Sequence, residues 1–298
     1  MRKTVGVGFW RLGAPFRGFS KGWEKMRLFD RIRGARRRAP PPRVFFVHIP
    51  KTGGISVEWV LRRRFHKEDI CPLYWEEDYL AGPMELASYR VFMGHLPYYF
   101  SRFFGEPLLT VTMCRHPLTR ALSAYRHILR DGSHLHHEMA VRTTRCLADF
   151  ANHEELARHI SNVQTRMLGR DFDMRALGQR VWRGEVSLGD ARRSVIEQRR
   201  KAADENCFRR AVARLEELAL VGLQEDGDAY FDALAHLLGQ GERLAGPRRN
   251  RAPKGQWPRL RDLTKEDVRA VERANEFDLV LYERARKRWA ETREVWQR

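Results

Sequence analysis

"RVFFVHIPKTGGISVEW" (residues 43–59) joins an apolar run to a Pro-Lys-Thr and two adjacent glycines. The run VFFVHI (44–49) is short, continuous and rich in β-branched and aromatic residues, as expected for a strand buried on both faces. After Gly53-Gly54, ISVEWVLRRRF carries Ile55, Val57, Trp59, Val60 and Leu61 at helical spacing. The stretch therefore reads as strand, glycine turn, helix. Working outward, YRVFMGH (89–95), PLLTVTMCR (107–115) and LALVGLQED (218–226) read as further strands. The second of these runs through His116-Pro117 into the amphipathic helix LTRALSAYRHILR, with Pro near its start. The last precedes the helix AYFDALAHLLG. The chain closes with TKEDVRAVERANEFDLVLYERARKRW, a long helix or helix pair with Thr264 as N-cap. Strands alternating with helices predict an α/β fold, a P-loop-like domain with a central parallel sheet flanked by helices. Residues 171–215 are charged and helix-prone, and say little more.

The 298 residues are 43% hydrophobic, enough for a sizeable core, and carry a formal charge of +18. Residues 1–43 hold 13 Lys and Arg against Glu24 and Asp30, so most of that charge belongs to the first segment. There, Phe9, Trp10, Phe16, Phe19, Trp23 and Phe29 alternate with the basic residues. The segment reads either as a basic tail or as an interfacial element on anionic lipid. Pro40–Pro42 form a stiff linker, which divides the chain into residues 1–42 and a domain over 43–298. Cys71, Cys114, Cys146 and Cys207 are widely spaced, arguing against a zinc ribbon or a dense disulfide framework. No apolar run is long enough to span a bilayer, and Arg11, Arg17 and Lys21 interrupt any signal-peptide core. The expected location is cytoplasmic, with residues 1–38 as a peripheral contact to the inner membrane surface.

In parallel α/β sheets, ligands sit at the carboxyl ends of strands. A glycine turn into a helix start offers bare N–H groups to an anion. Gly53 and Gly54 permit close approach, Thr52 and Ser56 add hydroxyls, and Lys51 adds a charge. This is a phosphate cradle in unusual order, because in a Walker A loop the Lys follows the glycines. A second candidate lies in CRHPLTRALSAYRH (114–127). Arg115 stands at a strand end and Ser123 two turns into the next helix, a guanidinium and a hydroxyl suited to a second phosphate. Arg120, Tyr125 and Arg126 read equally as helix surface or core. Two anion sites imply a ligand with two separate anionic groups.

HIPKTGG-I-S followed by R-H-P-L-x-R-x-L-S-x-Y resembles the carbohydrate sulfotransferases related to the heparan sulfate 2-O- and 6-O-sulfotransferases. NVQTRMLG (162–169), LVGLQED and ANEFDLVLY are similar to later landmarks of that family, so the resemblance covers most of residues 43–290. It implies the donor PAPS, 3′-phosphoadenosine 5′-phosphosulfate, with 3′,5′-adenosine bisphosphate as product and no metal. It implies that Lys51, Thr52, Gly53, Gly54, Ile55 and Ser56 hold the 5′-phosphosulfate, while Arg115 and Ser123 hold the 3′-phosphate. Lys51 would stabilise the leaving phosphate. His95, in FMGHLPYY, is the candidate base for a saccharide or glycolipid hydroxyl. His48 is expected to face the core or orient the loop. Asn162, Gln164 and Arg166 are candidate acceptor-binding residues, although a solvated helix face is the plainer reading. Arg251 and Lys254, in the loop GPRRNRAPKGQWPR (246–259), match a nucleotide-approaching loop by position alone. SHLHHE (133–138), with His134, His136, His137 and Glu138, is expected to be a flexible loop near the acceptor cleft rather than a metal site. The absence of a membrane anchor suggests a bacterial-type member. No specific nucleic-acid partner is expected; two rival readings stand beside this one, a nucleotide-dependent kinase and a non-catalytic basic protein that binds polyanions, glycan or nucleic acid, through a degenerate cradle.

Overall fold

The computed structural model describes residues 42–105, 107–239 and 258–296. The N-terminal aromatic and basic segment lies outside the described residues, and so do Arg251 and Lys254.

Among the described residues, four parallel strands form the central sheet, in the order β2-β1-β3-β4. The first, β1 (Val44–Val47), is wholly buried. It leads through the glycine turn into α1 (Gly54–Arg64). The second, β2 (Val91–Phe92), pairs Val44 with Val91. After the short α2 (Ser101–Phe104), β3 (Leu109–Cys114) pairs on the other side of β1, with Val44 opposite Leu109. Then follow α3 (Pro117–Arg130), α4 (His137–Thr143), α5 (Leu147–Asn152) and α6 (Val163–Gly169). The charged middle of the chain forms α7 (Met174–Trp182), α8 (Leu188–Arg200) and α9 (Glu205–Glu217). The last strand, β4 (Leu220–Leu223), pairs Val111 with Leu220 and precedes α10 (Gly227–Leu237). Two helices close the fold, α11 (Lys265–Ala274) and α12 (Glu276–Trp296).

Each strand is shorter than its apolar run. At β1, the Ile49 N–H turns back to the Val47 carbonyl at 3.1 Å, which ends the ladder before His48. At β2, the His95 N–H donates to the Tyr74 carbonyl at 2.8 Å, so the chain has left the sheet by that residue. The closing helical stretch is a pair, divided at buried Asn275. Thr264 caps α11, its hydroxyl accepting the Asp267 N–H at 3.1 Å, while Asp267 accepts the Thr264 N–H in return.

The main core wraps the sheet with Phe45, Phe46, Phe92, Phe100 and Phe104 near its centre. A second core joins α3, α5 and α11 through Leu122, Tyr125, Phe150 and Val271. It fixes α3 beside the carboxyl end of the sheet. Among the described residues, no helix is long and apolar enough to cross a membrane.

Candidate functional site

The site begins where β1 ends. Lys51 has φ 70° and Gly53 φ 94°, both in the left-handed region. That conformation is natural for Gly53 but costs Lys51 about 1–2 kcal/mol. Two contacts offset the strain. The fully buried Thr52 donates its hydroxyl to the Ile49 carbonyl at 2.9 Å. Arg115 Nη1 donates to the Lys51 carbonyl at 3.1 Å. Gly54 opens α1 with no space for a side chain, since an added Cβ would stand 2.1 Å from the His48 ring. Ile55 points outward at 45% exposure, and Ser56 sits in the first turn with its N–H on the Gly53 carbonyl.

Arg115 follows the last residue of β3. Its Nε donates to Thr119 Oγ1 at 3.0 Å. Gln164 grips its backbone, accepting the Arg115 N–H at 3.0 Å and donating to its carbonyl at 2.9 Å. Ser123 is half-buried on α3, on one face of that helix with Arg120, His127 and Arg130.

The charges reveal what this face looks toward. Burial pulls Lys51 down to about 8, and the repulsion of Arg130, Arg115 and Arg120 adds to it, with Asp131 opposing. His127 is pushed down to about 4 by burial and then by Lys51. Arg115 is lowered too, first by burial. Lys51 and His127 are thus depressed by neighbouring cations at the end of the sheet, although burial is the larger cause and Asp131 opposes it.

His95 borders the same place. Its Nδ1 lies 3.1 Å from the His48 carbonyl oxygen. A carbonyl only accepts, so Nδ1 carries the proton and Nε2 keeps its lone pair. The rings of His48, Trp75 and Tyr74 pack at 4.4, 4.8 and 5.4 Å from it. Burial pushes His95 down to about 3, followed by the charge of His48, with smaller contributions from Arg199 and Lys51. Trp75 is 42% exposed, and Arg199 of α8 packs over its ring. Glu76 and Glu77 hold that Arg in place. Trp75 and Arg199 come from regions that carry no motif, and spacing alone offers no signal for them.

The polar run of α6 faces inward. Asn162 Oδ1 accepts the Asp278 N–H at 3.0 Å, and its own N–H goes to Asn275 Oδ1 at 3.1 Å. The fully buried Asp278 accepts the N–H groups of Gln164 at 3.0 Å and Thr165 at 2.7 Å. Arg166 donates to the backbone carbonyls of Ser161, Arg158 and Arg199. Gln164 thus reaches the site through Arg115, whereas the donors of Arg166 are turned to backbone carbonyls. The expectation of a flexible SHLHHE loop is not met in form. Residues 133–136 make a turn, and His137 opens α4 with its Nδ1 on the Ile128 carbonyl at 2.9 Å. The His134 ring packs against those of His127, His136 and His159 at 5.8, 5.7 and 5.5 Å. Among the described residues, no group of three or more His, Cys, Asp or Glu side chains is arranged to hold a metal ion.

No protein-family model matches this chain, and no curated protein matches it.

Proposed function

We propose that this protein is a sulfotransferase. It would move the sulfuryl group of PAPS to a hydroxyl of a saccharide or glycolipid, on a P-loop-like variant of the α/β fold. The observation that carries the reading is the convergence of Lys51, Arg115 and the α3 face on one cation-rich place bordered by His95. The motif resemblance names the ligand. The bisphosphate portion suits two cationic anchors joined by the Arg115–Lys51 contact, and the sulfuryl group is the electrophile.

Each residue then has a defined task. His95 Nε2 takes the proton of the acceptor hydroxyl as its oxygen bonds to sulfur. Lys51 and the first-turn amides of α1 stabilise the phosphate oxygen that receives the electron pair of the breaking S–O bond. Arg115, with Ser123 on the adjoining helix face, binds the 3′-phosphate. A resting His95 of low proton affinity is compatible with this role. Burial and then His48 account for most of that low affinity, and an anionic donor would offset the smaller effects of Arg199 and Lys51.

A thermal-shift titration with 3′,5′-adenosine bisphosphate against 5′-AMP tests the reading. At 100 times its dissociation constant a ligand stabilises the fold by about 2.7 kcal/mol. The bisphosphate should stabilise the protein far more than 5′-AMP, and Arg115→Ala should erase the difference. Equal behaviour of the two nucleotides would sink the proposal and leave a kinase or a polyanion-binding protein.

A further inference from the structure

We infer that Glu58 is a positioning residue for His95, acting through His48. Its catalytic significance rests on the proposed role of His95, whereas its structural content does not.

His48 and Glu58 are both buried, and His48 Nδ1 lies 2.7 Å from Glu58 Oε1. A carboxylate accepts, so Nδ1 carries hydrogen. The pair ties the residue after β1 to the second turn of α1, across the loop that holds Lys51. The His48 ring has little freedom elsewhere. Its Cδ2 and Nε2 lie against Gly54, and the ring of Phe46 is stacked at 5.4 Å. The next ring along is that of His95 at 4.4 Å, and the backbone carbonyl of the same His48 takes the His95 Nδ1 hydrogen. One residue thus supplies both the ring that packs on His95 and the acceptor that selects its tautomer. Glu58 is the polar side chain that orients this residue.

The charge of Glu58 is also felt at Tyr74. The Tyr74 phenol is pushed up to about 12 by burial and then by the Glu58 charge, and the Tyr74 carbonyl anchors the His95 N–H. The charged or titratable groups around His95 are therefore His48 after β1, Lys51 in the loop, Arg199 on α8 and Tyr74 in the turn before Glu76. A buried carboxylate paired with an imidazole is a costly way to fill a core position. Orientation of the neighbouring base supplies the reason for it. Outer groups of this kind fix tautomers in other His sites.

Long-range 1H–15N correlation spectra of protein carrying 15N-labelled histidine test the inference, with His95→Gln assigning the resonances. In wild type, His95 should show one tautomer, hydrogen on Nδ1 and a free Nε2. Glu58→Gln keeps an acceptor oxygen and should preserve it. Glu58→Leu should shift both His95 nitrogens toward the values of exchanging tautomers. If Glu58→Leu does not fold, the double variant His48→Phe/Glu58→Leu decides, because it removes the tie between residue 48 and α1 and leaves neither partner orphaned. It should show the same shift. A single, unshifted Nδ1–H tautomer in Glu58→Leu or the double variant would overturn the inference. So would mixed tautomers in wild type, or in Glu58→Gln. The readout needs neither donor nor turnover. Loss of bisphosphate discrimination with a Glu58-dependent tautomer would therefore remove the sulfotransferase reading alone.

Discussion

Gln164 holds both backbone groups of Arg115, accepting from the N–H at 3.0 Å and donating to the carbonyl at 2.9 Å. A side-chain amide imitates a strand neighbour at the point where β3 has run out of partners. The guanidinium therefore starts from a fixed backbone and is steadied again by Thr119 and the Lys51 carbonyl.

Gln164→Leu would leave two backbone groups unpaired in a largely buried place. It should destabilise the fold by about 2 kcal/mol or more, seen as a lower urea midpoint at unchanged slope. Gln164→Glu keeps the acceptor and loses the donor, and should fall between Leu and wild type.

The two loop glycines should respond differently. Gly53→Ala meets Gln224 and Met113 at 3.2 Å, and its main penalty is the left-handed backbone, about 1–2 kcal/mol. Gly54→Ala drives a methyl into the His48 ring and should cost about 1–3 kcal/mol as overpacking. In a His48→Ala background the Gly54→Ala penalty should largely disappear. A double-mutant cycle by chemical denaturation measures that coupling.

Lys51 should leave a signature in alkaline solution. Its folded-state value of about 8 lies below the ordinary 10.5. Between these limits the unfolded chain holds the extra proton, so this group makes stability rise with pH from about 8 to 10.5. Lys51→Met should raise the melting temperature at pH 7 and remove that slope. A bound anion restores the charge of Lys51, so calorimetry at pH 8.5 should record proton uptake with 3′,5′-adenosine bisphosphate. Uptake should be lost in Lys51→Met.

The histidines act at the other end of the scale. His95 and His159 are pushed down to about 3, and His127 to about 4, in each case chiefly by burial. The unfolded chain takes up their protons first as pH falls from the ordinary 6.5. Their contribution to stability is therefore complete above 6.5 and is lost as pH drops toward 3–4. His159→Phe should flatten this acid limb, as followed by circular dichroism.

Where the sequence carries a local pattern, the structure follows it. The β1-turn-α1 and β3-α3 units combine a continuous apolar run, a turn residue and helical spacing within some twenty positions, and both stand where those signals put them. The strand before His95 was harder to delimit. Its apolar run continues past Phe92, but a long-range bond to Tyr74 takes the chain out of the sheet. The polarity of Asn162, Gln164 and Arg166 looks like a surface because spacing cannot show that Asp278 and Asn275 arrive from the last helices to meet it. The same holds for Trp75 and Arg199, which reach the neighbourhood of His95 from remote, motif-free segments. Local order was legible, and partners brought from a distance were not.

Asp278 carries one more consequence. It accepts the first N–H groups of α6, and α6 in turn holds Arg115 through Gln164. On the ribosome, the Lys51 loop and Arg115 emerge long before Asp278 is made. The anchoring of Arg115 is therefore completed late in synthesis, after the loop it joins already exists. A nascent chain stalled before Asn275 would carry Gln164 without the carboxylate that seats the start of its helix. The closing helix supplies the last of the contacts beneath Arg115.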